Sequence, residues 1–260
     1  MKKAIVLINI FVLIFLISCS NNDVVVLNDI NIPLTIGNYW KYDVEENGVT
    51  QEDYLSISGD IVIGSNSYKK FETLENLPVG FYSLSLNDNG VRQLENALLL
   101  TGNIPLNEAQ NLPFNLDLNL VDFKIFKGNA SLNETLSTKN GTINQTINGY
   151  PLIINYQLKS IAGNNFTSFT SPNTYVFMDV KEVKIVLTVS ITTIISGITI
   201  TVLSSQDILT SNQYVANNIG VVHTNTIINY TIPQLIADQI NLPANSTQIQ
   251  NEYLTSYFVQ

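Results

Sequence analysis

The sequence predicts an all-β fold, mainly antiparallel, arranged as a curved sheet or half-barrel or as a sandwich, with one short C-terminal helix. Three observations predict it. Asn-Gly pairs punctuate the chain at Asn47-Gly48, Asn89-Gly90, Asn140-Gly141 and Asn148-Gly149. Such pairs suit the positive φ angles of a type I′ turn, so each is read as a hairpin signal. The runs around them alternate in polarity with a period of two, as strands with one buried face do. β-Branched residues dominate the uncharged run from Ile185 to Leu203, which favours strand over helix there.

Taken in order, residues 19–32 read as a tether and residues 33–260 as a single β-rich domain. Trp40, Tyr42 and Val44 share one strand face before the first turn. Tyr82, Leu84 and Leu86 do so before the second. Gly102 to Pro113 is the best candidate for a long loop or boundary. Leu116, Leu118 and Leu120 alternate with Asn115, Asp117 and Asn119. That is a polar strand face and lacks the compact acidic loop that calcium needs. Leu152, Ile154, Tyr156 and Leu158 share a face after the fourth Asn-Gly pair.

Ile185 to Leu203 carries no charge over 19 residues. Its length invites a membrane-helix reading, but seven hydroxyl residues and Gly197 interrupt it. It reads as a hairpin with Ser196-Gly197 at the turn. A two-residue loop pairs Ile195 with Ile198, Thr193 with Ile200, and Ile191 with Val202, and sets Thr192 opposite Thr201. Val183, Ile185, Leu187 and Val189 continue the apolar face. Further on, Gly220 to Thr224 reads as a strand with His223 facing away from Val222 and partly exposed. Pro233 opens a helix in which Leu235, Ile236 and Ile240 fall at helical spacing, and Pro243 closes it. Tyr253 to Val259 is the expected last strand.

The N-terminus carries a different signal. Met1-Lys2-Lys3 is basic, and Ala4 to Ile17 is apolar apart from Asn9. The run is shorter than the roughly 20 residues a spanning helix requires. A basic start, a short apolar core and a small residue before the cut describe a secretory signal over residues 1–18. Leu16-Ile17-Ser18-Cys19 resembles the lipobox of bacterial lipoproteins. The resemblance implies cleavage after Ser18 and acylation of the Cys19 thiol. Ser20 stands where the family's inner-membrane retention signal places Asp, which implies the outer membrane. Ser20-Asn21-Asn22-Asp23 resembles the polar export tags of surface lipoproteins in Bacteroidota.

Composition narrows the chemistry. Cys19 is the only cysteine, so the body has no disulfide, no thiolate metal site and no cysteine nucleophile. Loss of Lys2 and Lys3 with the signal takes the net charge from −9 to −11 and leaves 242 residues. An acidic body disfavours nucleic acid and anionic surfaces. His223 is the only histidine, and no Gly-x-Ser-x-Gly elbow accompanies it. One histidine without an available cysteine argues against zinc. There is no phosphate-binding glycine loop, and no cofactor is expected. Acids cluster early, among them Glu45, Glu46, Glu52, Asp53, Asp60 and Glu72, and read as solvated charge beside turns. A two-carboxylate hydrolase is the least supported function.

Gly37-Asn38-Tyr39-Trp40-Lys41-Tyr42 resembles the opening strand of uncharacterised flavobacterial-type lipoproteins, which begin with Gly-Asn-x-Trp-x-Tyr. Gly220-Val221-Val222 is similar to a late Gly-x-Val segment in such chains. The resemblance brings no activity with it. The expected role is that of a membrane-anchored, non-enzymatic binding domain in the cell envelope. One version carries a hydrophobic ligand, with Trp40, Tyr42, Ile185, Leu187 and Ile200 facing it, and resembles periplasmic lipid carriers in architecture. In the other version the helix near Leu235 fills that face. The alternative role is an accessory subunit of a surface complex, with an exposed edge by the Thr-rich face open to strand addition.

Overall fold

The computed structural model describes residues 31–74, 77–107 and 112–260. Cys19, where lipidation is expected, the expected signal and most of the expected tether lie outside the described residues. Twelve antiparallel strands form one sheet that curls into a nearly closed barrel. The first meander comprises β1 (Tyr39–Glu46), β2 (Val49–Ile63), β3 (Asn66–Thr73), β4 (Gly90–Leu94), β5 (Ala97–Leu106) and β6 (Leu116–Lys127). Helix α1 (Phe81–Leu86) interrupts it between β3 and β4. The second comprises β7 (Thr135–Ile147), β8 (Tyr150–Thr170), β9 (Val176–Ile195), β10 (Ile198–Ala216), β11 (Gly220–Thr231) and β12 (Asn245–Phe258), with α2 (Gln234–Ile240) before β12. Strand order is β6-β5-β4-β3-β2-β1-β12-β11-β10-β9-β8-β7, so the β1–β12 ladder joins the two meanders.

Turn chemistry explains many of the corners. Asn47 and Gly48 have φ of 52° and 77°, Asn148 and Gly149 have 50° and 84°, and Ser196 and Gly197 have 50° and 80°. These are the paired positive angles of tight hairpins. The other two Asn-Gly pairs are not turns. Asn140-Gly141 lies inside β7, where a Cβ on Gly141 would come within 2.4 Å of the Tyr156 ring. Asn89-Gly90 follows α1; the positive φ falls on Asp88 at 59°, and the buried Asn89 amide bonds Ser85 O, Asn103 O and Asn103 N–H. The expected loop from Gly102 begins as strand, because β5 continues to Leu106.

The long uncharged hairpin adopts the expected register at Ile195–Ile198, Thr193–Ile200 and Thr192–Thr201. Beyond that a bulge pairs Ile191 with Leu203 instead of Val202. Both Val202 and Leu203 are buried as a result. A bulge adds one residue on one strand and bends it, as a curling sheet needs.

Alternate residues point inward and pack one core: Trp40, Tyr42 and Val44 on β1, Leu116, Leu118 and Leu120 on β6, and Val183, Ile185, Leu187 and Val189 on β9. Asp117, Asn119, Lys184, Thr188 and Ser190 are on outward-facing positions of β6 and β9. On β6 and β9 the inward face is apolar and the outward face largely polar, the converse of the strand pattern of a membrane-spanning barrel. Among the described residues no helix is long and apolar enough to cross a membrane.

Helix α1 fills the lumen, and this corrects the sequence reading. Tyr82, Leu84 and Leu86 alternate like a strand, yet Phe81–Leu86 is helical, with Phe81 and Leu86 buried. The helix expected after Pro233 forms as α2, but it does not cover the sheet face. Leu235 is 79% exposed; Ala237 and Ile240 are buried, and Asn148 Nδ2 donates to Ile240 O and Asn241 O. Helix α2 is thus fastened to the β7–β8 turn, at the base of the barrel.

The barrel does not close by a ladder at β6 and β7. Side chains bridge that seam: Lys124 N–H donates to Ser137 Oγ at 2.9 Å, Gln145 Nε2 donates to Asn115 O at 3.0 Å, and Asn115 N–H donates to Gln145 Oε1 at 3.3 Å. Lys181, 1% exposed, points up under the β6–β7 connection and donates to Ala130 O at 2.6 Å and Gly128 O at 3.3 Å. Burial pushes its pKa down, with the Glu134 carboxylate opposing.

Candidate functional site

The interior holds a polar cluster that composition does not announce. Asp53 on β2 and Gln250 and Glu252 on β12 point inward at the first turn of α1. Asp53 accepts Val79 N–H at 2.9 Å and Gly80 N–H at 2.7 Å. Gln250 Oε1 accepts Phe81 N–H at 2.7 Å, while its Nε2 donates to Val79 O and Glu46 Oε2. Glu252 Oε1 accepts Tyr82 N–H at 2.8 Å and Thr224 Oγ1 at 3.0 Å. The free N–H groups of a helix start need acceptors. Here the acceptors come from distant strands and not from a local cap.

Glu252 is fully buried, and its Oε2 has no hydrogen-bond partner among the described residues. That oxygen lies against Gly80, where a Cβ would sit 2.1 Å away. Burial raises the Glu252 pKa to about 7; the Tyr82 N–H pulls it down, the Asp53 charge pushes it up, and Thr224 pulls it down. Asp53 is equally buried, at 2% exposure. The two acids are therefore buttresses for a helix.

The residues expected to face a ligand are mostly packed. Trp40 stacks on Phe71 with centroids 6.0 Å apart, and its Nε1 donates to Ile219 O. Tyr42 meets Tyr82 edge-on, and its hydroxyl donates to Val221 O at 2.8 Å. Large aromatics with their polar tips bonded to backbone are core members. Leu187 is fully buried. Ile185 lines a void of about 20 Å³ with Tyr82, Leu86 and Phe123. Trp40 borders another of about 30 Å³ with Phe71, Leu86 and Val91, roofed by Ile32 and Leu34. Each has room for about one water and none for an acyl chain. Ile200 is half-buried, opposite Thr193 near the far hairpin tip. The five residues do not converge on one cavity.

His223 does face outward, opposite Tyr214 and Tyr253, but it is only 5% exposed. The ends of β8 and β9 continue as a two-stranded arm beyond Val180, where β10 stops pairing. The arm arches over the outer face, and Asn173 Nδ2 donates to Leu254 O at 3.3 Å. Its Phe169 heads a row of stacked rings: Phe169–Tyr214 at 4.3 Å, Tyr214–His223 at 5.4 Å and His223–Tyr253 at 5.1 Å. His223 Nδ1 lies 3.0 Å from Glu252 O. Burial lowers the His223 pKa, the bond to that carbonyl opposing.

The arm leaves an open groove of about 420 Å³ between Tyr175, Val176 and Phe177 on one side and Leu254 to Tyr257 on the other. Sequence reasoning missed both the groove and Glu252. The first depends on an arm that bends back, and the second on a partner helix 170 residues away. Among the described residues no group of three His, Cys, Asp or Glu side chains is placed to hold a metal ion. Comparison with protein-family models, with curated proteins and with solved structures returned no match.

Proposed function

We propose that the chain is an envelope lipoprotein of the Bacteroidota type, anchored in the outer membrane through acyl chains on Cys19, with the barrel as a non-enzymatic binding domain. One observation carries the reading for the barrel: in a filled lumen, Asp53, Gln250 and Glu252 are all committed to the N–H groups of Val79 to Tyr82. That arrangement commits the two buried acids to the helix. It also leaves no space for a carried lipid unless α1 departs. Recognition then belongs to the outer surface. The anchor rests on the basic start, the short apolar core and Leu16-Ile17-Ser18-Cys19; several acyl chains hold a protein stably in a bilayer.

Palmitate labelling of the source cells is expected to mark the wild type, and Cys19→Ser is expected to abolish the label and release the protein from membranes. Labelling that survives the substitution overturns the anchor. Native mass spectrometry of the unanchored chain is expected to give the bare mass; a lipid that reproducibly co-purifies with it overturns the filled-lumen reading.

The edge expected by the Thr-rich face is not there, since β9 and β10 are paired on both sides, but the seam favours the same second reading, an accessory subunit of a surface complex. β6 and β7 are edge strands whose gap is bridged by Ser137 and Gln145 side chains. An extended segment of a partner could replace those bridges by main-chain pairing.

A further inference from the structure

The outer groove lies in an apolar rim, and the rim sits where the chain enters the barrel. Tyr175, Val176 and Met178 on the arm are 52%, 60% and 61% exposed; Tyr257 and Phe258 on β12 are 44% and 45% exposed. Residues 171–178 and 253–260 contain no Asp, Glu, Lys or Arg. Clustered exposed apolar side chains mark a contact surface. Tyrosines mixed with aliphatic and phenyl groups, without charge, match the interfacial zone of a bilayer, where aromatic side chains concentrate.

The path of the chain points to the same partner. Asn31 N–H donates to Asn217 Oδ1, and Asn218 N–H donates to Asn31 O, while Asn217 N–H donates to Asp179 O. Asn31 is therefore fastened beside Asp179, the neighbour of exposed Met178. Thr35 Oγ1 bonds Gln260 O, two residues beyond Phe258. Both halves of the rim thus flank the entry point. Cys19 precedes Asn31 by twelve residues, a contour of about 40 Å at most. A chain anchored at Cys19 keeps this end of the barrel nearest the bilayer. The opposite end, at Ile198, lies a whole strand of 20 residues away along β9.

We infer that the rim formed by Tyr175, Val176, Met178, Tyr257 and Phe258 seats on the membrane surface, so that the barrel stands on its arm and does not float on its tether. The inference rests on the anchor assigned above. Its occupant is the uncharged interfacial layer of the lipid: the two rim segments carry no charged side chain, the neighbouring Lys41 opposite Ser256 is paired with Glu52, and the body is acidic.

The test separates the rim from the anchor. The chain from Cys19 onward is coupled through that thiol to a maleimide-bearing phospholipid in phosphatidylcholine vesicles, so attachment does not depend on native acylation. Brominated phosphatidylcholine is expected to quench the emission of Val176→Trp at least twofold more than that of Ile198→Trp, which stays at the level of buried Trp40. Hydrogen exchange of the unsubstituted, coupled chain is expected to slow at least threefold over 173–178 and 255–259 and nowhere else at the surface. Equal quenching at 176 and 198 overturns the proposal, as does unchanged exchange in those segments. Protection that appears without vesicles and grows with protein concentration also overturns it, because the occupant is then a second copy. Failure of palmitate labelling with a positive vesicle result would sink the anchor and leave the rim standing.

Discussion

At the scale of single residues, two titrating groups lie back to back across β12. Glu252 points into the lumen and His223 bonds its carbonyl from outside. Their linkage to folding has opposite sign. The Glu252 pKa is raised to about 7, so its acid form is the one the fold favours. Its contribution is complete below the ordinary carboxyl pKa of 4.5 and is lost as pH rises through 7. A shift of that size corresponds to about 3 kcal/mol. His223 is shifted down, so the fold favours its neutral form; that contribution is present above pH 6.5 and falls away on acidification. Glu252→Gln keeps an acceptor for Tyr82 N–H and removes the titration. Its stability in urea is expected to exceed that of the wild type at pH 8 and to fall on acidification below pH 6.5. His223→Phe keeps the ring stack and is expected to show the reverse, a steady loss from pH 5 to pH 8. Parallel pH profiles for the two variants would contradict the assignment.

At the scale of elements, what was legible in the sequence follows from range. Strand faces and two-residue turns are local properties, so Trp40-Tyr42-Val44, Val183 to Val189 and the Ser196-Gly197 hairpin are readable from neighbours alone. Helix α1 is not. Phe-Tyr-Ser-Leu-Ser-Leu has the alternation of a strand, and the groups that make it helical are Asp53, Gln250 and Glu252, brought by β2 and β12. Asn140-Gly141 misleads for a similar reason: the glycine serves a ring on the neighbouring strand, not a turn. Of the candidate site residues, Trp40 and Tyr42 share a strand face that alternation alone makes readable, whereas the groove required knowing that an arm folds back. The seam is an element-scale feature too. Lys181 donates to the Gly128 and Ala130 carbonyls from beneath. Lys181→Met would leave both without that donor, a loss of about 2–3 kcal/mol. Hydrogen exchange in that variant is expected to quicken over residues 128–138 while β1–β12 stays protected; uniform quickening would place the lysine in general stability instead.

At the scale of the whole molecule, order along the chain and order around the barrel coincide everywhere but at one ladder. Neighbouring strands are consecutive in sequence except β1 and β12. Loop closure for that pair spans nearly the entire domain, which raises the contact order of an otherwise local meander. The remedy is visible where the start of β1 and the residues after β12 already touch, since Gln260 N–H donates to Asn38 Oδ1. A circular permutant that links residue 260 to residue 33 and starts at residue 131, between β6 and β7, would turn the barrel into an uninterrupted up-and-down chain. Stopped-flow refolding of this permutant is expected to be at least tenfold faster than that of the natural order, with an unchanged urea dependence of unfolding. Equal rates would mean that the β1–β12 ladder forms after the barrier. The seam that side chains hold together is thus the one place where the ring can be cut without breaking a ladder, and the natural chain opens on the opposite side.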